Sequence, residues 1–513
     1  MAILLSEIAA LIDGARLIGS DQVVHGISHD SRKVEPGFVF AAMKGSNQNG
    51  YNFIQTALNM GAVGIVIAQA NLDTISLLEE ISILIVPSVR QNLGIISCAI
   101  YDNPSKKINL VGITGTNGKT TTSFLLDSAL SASGIRTGVI GTIEVRSANK
   151  RYGSTYTTPE APDLQAVLAE MVENDVETVS MEVSSHGIDQ MRIEGTSFRI
   201  GIFTNLSPEH LDYHGTMEQY YYAKSRLFEA NRCGFVIINI DDTWGRRLAH
   251  QVQVPRVTFG TSADADYRIE NTKVSTDGTK FSLIHKDSIF DLSTHIVGSI
   301  NALNATAAFI AATELGAPAE VVIQGISQCS SVDGRFQLVE AGQPSMVVVD
   351  YAHTPDSIAN LISTVRSLLP PNGKVFAVGG ARGGRDRLKR PSLGAALASA
   401  DCAILTTDNP GNEDPEAIIT QLLLGTLDMP PQKVHIELSR SSAIEYAVMN
   451  ACESDGVVIV GRGHETTIRI GETTSHLDDR EEVARAARLL AAKNKSDFNS
   501  TSQLSQSDNC AHA

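Results

Sequence analysis

Long apolar runs are missing from this chain, and so are close cysteine pairs and an excess of basic residues. The six cysteines (Cys98, Cys233, Cys329, Cys402, Cys452 and Cys510) are scattered, with no Cys-x-x-Cys and no tight His/Cys cluster. That spacing argues against a zinc ribbon or a disulfide framework and reads as buried thiols in a reducing compartment. No segment approaches membrane-spanning length. Glu7 and Asp13 interrupt the apolar N-terminus, which reads as neither a signal peptide nor a span. Lys and Arg total 41 against 57 Asp and Glu, a formal charge of −16. A nucleic-acid surface is therefore not the main purpose, although a local basic pocket could still hold an anion. No repeat of solenoid period is present. The expectation is a cytoplasmic protein without nucleic-acid partners or membrane insertion.

What is present is ordinary globular composition on a large scale. The 513 residues are 42% hydrophobic and 19% charged, too long for one core and suited to about three domains. Residues 1–100 open with a short amphipathic helix (Leu5, Ile8, Leu11, Ile12) and continue as short strands and helices. Residues 101–335 alternate helical segments with the apolar runs Leu110–Thr114, Thr178–Val183, Ile200–Thr204 and Phe235–Ile240. Residues 336–493 repeat that grammar with Met346–Val349, Val375–Val378, Ala403–Leu405 and Val457–Val460. Strands with little polar alternation, separated by helices, imply mostly parallel sheets covered on both faces. The fold class is α/β in three domains: a smaller N-terminal module, a central nucleotide-binding module and a C-terminal Rossmann-like module. Residues 494–513 turn polar and read as a disordered tail.

The most informative segment is Lys107 to Thr121. An apolar strand runs into Gly115-Thr116-Asn117-Gly118-Lys119-Thr120-Thr121, where a helix opens. Two glycines let the backbone turn its N–H groups toward phosphate oxygens. Lys119 adds a mobile charge for the β- and γ-phosphates, Thr120 a hydroxyl for Mg²⁺, and the helix N-terminus a favourable dipole. The full P-loop spacing lacks its first glycine, since Ile113 stands there. The string reads as a shortened nucleoside-triphosphate loop.

Further polar clusters lie just past strand ends, where α/β proteins keep their sites. Met181-Glu182-Val183-Ser184-Ser185-His186-Gly187 is one, and Thr204-Asn205-Leu206-Ser207-Pro208-Glu209-His210-Leu211-Asp212 another. Taken alone, His210 reads as a hydrogen-bonded loop histidine. Taken with Thr120 and Glu182, it reads as a ligand in an oxygen-rich Mg²⁺ shell.

The glycine loop, the Glu182–His186 block, Asn205-Leu206 with His210, and Asp350-Tyr351-Ala352-His353-Thr354-Pro355 together resemble the Mur ligase family. The run Gly461-Arg462-Gly463-His464-Glu465 resembles the branch that adds the third residue of the peptidoglycan stem peptide. The likeness spans about residues 20 to 492. It implies an ATP- and Mg²⁺-dependent ligase that phosphorylates the D-Glu γ-carboxylate of UDP-MurNAc-L-Ala-D-Glu and passes the acyl group to a free diamino acid. A monomer is expected. By the same resemblance Lys119 holds phosphates, and Thr120 and Glu182 hold the first Mg²⁺. His210 helps hold a second cation, and Lys224 is the lysine that becomes carbamylated, an anionic ligand made from a cation. On spacing alone Lys224 is a solvated helix lysine. Asn301 and Asn304 match the adenine side, Arg335 the γ-phosphate, and Asp350 and His353 approach the nucleotide from the last domain. Ser31 and the Ser46-Asn47-Gln48 loop match uridine contacts. Thr157, Thr158, Ser184, Gln190 and Arg192 match contacts to the muramoyl-dipeptide.

At the amino-acid site the pattern frays. Arg385 corresponds to the arginine that clamps the incoming α-carboxylate, and Gly461 and Glu465 to residues at the far end. Diaminopimelate enzymes carry Asp-Asn-Pro-Arg, whose arginine pairs with the distal carboxylate. Here the string is Asp408-Asn409-Pro410-Gly411. A pocket with Asp408 and Glu465 but no arginine suits L-lysine or L-ornithine. Gly-Arg-Gly-His-Glu reads like the diaminopimelate form, with Arg462 or Arg382 as a substitute cation. Gly411 and the tail also leave open a relative recruited to another peptide. A non-catalytic nucleotide-binding relative is disfavoured by the joint presence of Lys119, Glu182, His210, Lys224, Arg335 and His353. Asp408-Asn409-Pro410 and the uridine-type N-terminal domain count against folate polyglutamylation.

Overall fold

The computed structural model describes residues 2–45, 48–74, 81–147, 150–154 and 156–508. Three sheets carry the architecture, one per expected module. In the N-terminal domain five strands run in the order Arg16–Ile18, Ser82–Val86, Gly64–Ala68, Phe38–Ala41 and Gly26–Ser28. All neighbours are parallel except Arg16–Ile18, which is antiparallel to Ser82–Val86. Every residue of Ser82–Val86 is buried, as a strand covered on both faces should be. The first helix is shorter than expected, Leu5–Ala9, and leaves Leu11 57% exposed.

The central domain holds an eleven-stranded sheet. Its parallel heart is Thr137–Ile140, Thr178–Glu182, Asn109–Thr114, Ile200–Phe203, Val236–Asn239 and Arg256–Gly260. The four strands expected here agree to within a residue at each end. Asn109–Thr114 lies mid-sheet, so residues following it and Thr178–Glu182 emerge side by side at the carboxyl edge of the sheet. Beyond Arg256–Gly260 the sheet continues as a meander of Tyr267–Ser275, Gly278–His285 and Ser288–Thr294. The helix Ile300–Glu314 packs on it through an almost wholly buried Ala-rich surface.

The C-terminal domain orders its strands Gln337–Leu338, Met346–Asp350, Gly456–Val460, Val375–Gly379, Cys402–Leu405 and Val434–Ile436, parallel after the first pair. The linker from the central domain bends through left-handed Gly334 (φ +66°) and Phe336 (φ +40°). The final helix spans Asp479–Asp508 and runs through most of the segment expected to be a disordered tail. Polarity alone suggested disorder, but the segment contains no glycine or proline to stop a helix begun on the domain. Cys98, Cys233 and Cys329 are buried free thiols, whereas Cys402 is half-buried and Cys452 exposed. Thiol burial was thus only partly as expected, and Cys510 lies outside the described residues.

Candidate functional site

The glycine loop joins Asn109–Thr114 to the helix Lys119–Ala132. Its shape depends on two close approaches. At Gly115 (φ +151°) a Cβ would sit 1.9 Å from Thr204 Oγ1, and at Gly118 (φ +89°) it would sit 2.4 Å from Asn304 Oδ1. Only glycine permits both the dihedral and the contact. Asn205 Oδ1 accepts from Asn117 N at 2.9 Å, and the Thr116 hydroxyl turns inward to accept from Ser207 N at 3.0 Å. Lys119 folds back on its own loop, donating to the Gly115 and Thr116 carbonyls at 2.8 Å each. Burial lowers its pKa, against the raising influence of Glu182 and Glu209. An anion in the loop would relieve that cost.

Beside the loop, oxygens and cations converge. Glu182, 1% exposed at the end of its strand, accepts from Thr120 Oγ1 at 2.9 Å and from Thr142 N at 2.9 Å. Arg335, from the interdomain linker, donates through Nη2 to Thr120 Oγ1 at 3.0 Å. Lys224 is buried on the helix Met217–Ser225, not solvated, and its Nζ donates to the Gly115 carbonyl at 2.9 Å. Burial, reinforced by the Lys119 charge, holds its pKa well below the usual lysine value. An unprotonated amine is the form that can add carbon dioxide. His210 takes a left-handed backbone (φ +57°) and packs edge-on against His186, with ring centres 4.6 Å apart. Burial drops its pKa to about 3, leaving a ring-nitrogen lone pair free for a cation. Among the described residues no group of three or more His, Cys, Asp or Glu could alone hold a metal. Thr120 and Glu182 nevertheless form a hard oxygen pair that fits Mg²⁺ completed by phosphate and water.

A cavity of about 860 Å³ opens from the loop between the central and C-terminal domains. Asn117, Gly118, Thr121, Asn301, Asn304, Arg335, Asp350, Tyr351 and His353 line it. Asn304 Nδ2 donates to Asn301 Oδ1 at 2.9 Å, and Asn301 Nδ2 to the Val297 carbonyl at 2.9 Å, so both asparagines are fixed. Asp350 accepts from Phe336 N and Ala352 N at 2.6 Å each. It fastens the linker that carries Arg335, and burial raises its pKa.

Glu209 directly precedes His210 in the segment after the strand Ile200–Phe203. It is 5% exposed and bridges domains, lying 2.7 Å from His353 Nε2 and 3.5 Å from Lys389 Nζ. Burial would raise its pKa, but His353, His210 and Lys389 outweigh that and hold it well below the carboxylate range.

Three family models cover the chain in order. The Mur ligase family catalytic domain matches residues 23–101, the Mur ligase middle domain residues 113–312, and the Mur ligase glutamate ligase domain residues 334–463. The UDP-N-acetylmuramoyl-L-alanyl-D-glutamate–2,6-diaminopimelate ligase of Streptomyces avermitilis is 38% identical over 484 residues, 93% of this chain and 94% of its own. The chain belongs to the Mur ligase family. The ligase of the same name from Solibacter usitatus is 39% identical over 464 residues, 89% of this chain and 92% of its own. A solved structure of such a ligase superposes with TM-score 0.66 at 32% identity, covering 96% of this chain and all of that one. The Thermotoga maritima MurF ligase in complex with ADP shares the fold at TM-score 0.65 and 20% identity, over 92% of this chain and 99% of that one.

In this Mur ligase the residues matched to the muramoyl-dipeptide form one connected rim. Thr157 Oγ1 meets Thr142 Oγ1 at 3.0 Å, and Thr158 Oγ1 meets Ser184 Oγ at 3.1 Å. Arg192 donates to the Thr158 carbonyl at 2.8 Å and to Gln190 Oε1 at 2.7 Å. Ser31 is buried some distance along the chain in the N-terminal domain, Gln48 is exposed, and Ser46 and Asn47 lie outside the described residues. Arg385 is exposed on the C-terminal domain, near enough to His186 to help burial lower that ring's pKa. Asp408, Asn409, Gly461 and Glu465 come together: a Cβ on Gly461 would sit 2.4 Å from Asp408 Oδ2, and Asn409 Nδ2 donates to Glu465 at 2.9 Å. No sequence signal marked Glu209 or Lys389, because their meeting is made only by domain packing.

Proposed function

We propose that this Mur ligase joins a free diamino acid to the D-Glu γ-carboxylate of UDP-MurNAc-L-Ala-D-Glu at the expense of ATP, as a cytoplasmic monomer in peptidoglycan precursor synthesis. The observation that carries the proposal is the meeting of Lys119, Thr120 and Glu182 of the central domain with Arg335 of the interdomain linker, beside the cavity that Gly118, Thr121 and Arg335 line. The names of the relatives supply the substrate class.

The chemistry balances on these residues. The γ-carboxylate oxygen attacks the γ-phosphorus of ATP and ADP leaves, giving an acyl phosphate. The amine then attacks the acyl carbon, the C–O bond to phosphate breaks, and amide, phosphate and a proton result. Lys119 exchanges its two carbonyl partners for β- and γ-phosphate oxygens, and Arg335 shifts from Thr120 to the γ-phosphate as charge develops. Thr120 and Glu182 would hold Mg²⁺, with His210 and carbamylated Lys224 at a second cation. Bound there, the metal supplies positive charge to the phosphoryl oxygens. Asn301 and Asn304 frame the adenine end. Ser31, the 46–48 loop, Thr157, Thr158, Ser184, Gln190 and Arg192 position the UDP-substrate, and Arg385 orients the amine.

The test follows oxygen. With the γ-carboxylate enriched in oxygen-18, one labelled oxygen per turnover is expected in the released phosphate. Phosphate free of label would exclude the acyl phosphate route.

A further inference from the structure

The far end of the amino-acid pocket is an ion cluster whose charges cancel. Asp408 is 2% exposed, just beyond the strand Cys402–Leu405, and Glu465 follows Gly456–Val460. Arg382 donates to Glu465 and stands 4.0 Å from Asp408. Asn409 Nδ2 occupies the other Glu465 oxygen at 2.9 Å. Behind them Arg462 lies 3.9 Å from Glu465 and 3.7 Å from Asp479, and Arg440 forks onto Asp479 at 2.8 and 2.7 Å. Three guanidiniums (Arg382, Arg440, Arg462) thus face three carboxylates (Asp408, Glu465, Asp479).

Only one of these cations is open to a ligand. Arg440 and Arg462 are at most 2% exposed, and Arg462 spends Nη2 on the Thr467 and Leu477 carbonyls at 3.0 and 2.8 Å. The Arg382 side chain is 27% exposed. Its loop rests on the 409–411 loop, with Gly383 N donating to the Asn409 carbonyl at 3.1 Å. Next to that contact, Gly411 (φ +56°) leaves open space, since a Cβ there would meet nothing within 4 Å.

Charge balance decides what fits. A side chain ending in an ammonium alone would add an uncompensated positive charge to a largely buried neutral cluster, and would compete with Arg382 for Glu465. An end carrying both ammonium and carboxylate leaves the balance intact. Its ammonium takes the Glu465 and Asp408 oxygens while its carboxylate takes the Arg382 fork. We infer that Arg382 is a specificity-determining residue that receives the distal carboxylate, so that the third amino acid is a diamino dicarboxylic acid of the diaminopimelate kind. This rests on the ligase function proposed above. Arg382, not Arg462, is the substitute cation, and Gly411 is clearance for the distal group, not an adaptation to lysine.

The test is steady-state ligation with ATP, Mg²⁺ and UDP-MurNAc-L-Ala-D-Glu, offering meso-diaminopimelate, L-lysine or L-ornithine to wild type, Arg382→Ala and Arg382→Lys. Wild type should favour meso-diaminopimelate by ~100-fold or more in kcat/KM. Arg382→Ala should raise the KM for meso-diaminopimelate about 10- to 100-fold, leave the KM for ATP unchanged and shrink the preference over lysine; Arg382→Lys should recover part of the loss. Preference of wild type for lysine or ornithine would overturn the inference, as would an equal rise of KM for all three amines in Arg382→Ala. The wild-type ratio decides by itself if that variant does not fold. No ADP formation with any of the three amines would overturn the ligase function itself, and the inference with it.

Discussion

Lys119 and Lys224 meet at one carbonyl, that of Gly115, so a change in the loop's path reaches both side chains. The Gly115 oxygen accepts from Lys119 at 2.8 Å and from Lys224 at 2.9 Å, so the loop's path sets both side chains at once. A Gly115→Ala substitution would push a methyl to 1.9 Å from Thr204 Oγ1 at φ +151°. The loop must then shift. We predict at least a ~100-fold loss of ligation and about 1–3 kcal/mol of stability. Turnover and thermal denaturation on the same preparation check this, and wild-type turnover would contradict it. Burial gives the Lys119 charge a cost that an anionic ligand removes. The loop is therefore expected to be stiffer with nucleotide bound than without.

At the scale of elements, helices and strand ends hold neutral histidines where charge would be costly. His214, closing the helix Leu211–His214, meets Ser185 Oγ at 3.0 Å and stacks on Tyr220 with ring centres 5.1 Å apart. Burial lowers its pKa to about 4, and burial does the same for His464. The unfolded chain takes up these protons near pH 6.5 and the native protein only near 4, so the unfolded state binds more protons between those values. Stability is complete above pH 6.5 and falls as pH drops toward 4, by about 1–3 kcal/mol in all after discounting for solvent around the rings. Melting temperatures from pH 7.5 to 4 should show this fall, and His464→Asn should flatten part of it; an unchanged slope in that variant would contradict the assignment.

The same scale shows what could be read from the residues. Val-Ile-Ile-Asn at 236–239 is buried throughout, and uniform burial leaves an unbroken apolar run that marks a parallel strand. Tyr267–Ser275 alternates instead, with Tyr267 and Ile269 buried beside more exposed Arg268 and Glu270. One face meets the alanine-rich helix and the other solvent, so its pattern resembles that of many polar segments. The glycine loop was legible for a similar reason, because its backbone demands specific residues at fixed spacing. Glu209 was not, since its partner His353 lies 144 residues away and nothing local selects it; Arg382 could be named only as one of two candidate cations, because Glu465 lies 83 residues away.

For the whole molecule, contacts that cross the cleft between the central and C-terminal domains lie beside the nucleotide loop. Glu209 joins His353 and Lys389 across it, and Arg335 reaches Thr120 from the linker. On the proposed function, closing the cleft would bring amine and acyl phosphate together and exclude water. Scattering should show compaction when an ATP analogue and the UDP-substrate are both present. Glu209→Gln removes the carboxylate that His353 and Lys389 share, and is expected to lessen that compaction and to lower kcat by ~10-fold or more. Identical scattering and kcat in this variant would rule out Glu209 as the clasp. Among the described residues no helix is long and apolar enough to cross a membrane.

On the proposed function, ATP cleavage here is tied to building one amide bond. Purified protein should be given ATP and Mg²⁺ with UDP-MurNAc-L-Ala-D-Glu and a diamino acid, each present or withheld, while ADP and the UDP-linked product are counted. The account predicts sustained ADP release only when both acceptor and amine are present, one ADP for each UDP-linked tripeptide. ADP release that ignores the UDP-substrate, or that yields no tripeptide with any diamino acid, would contradict it.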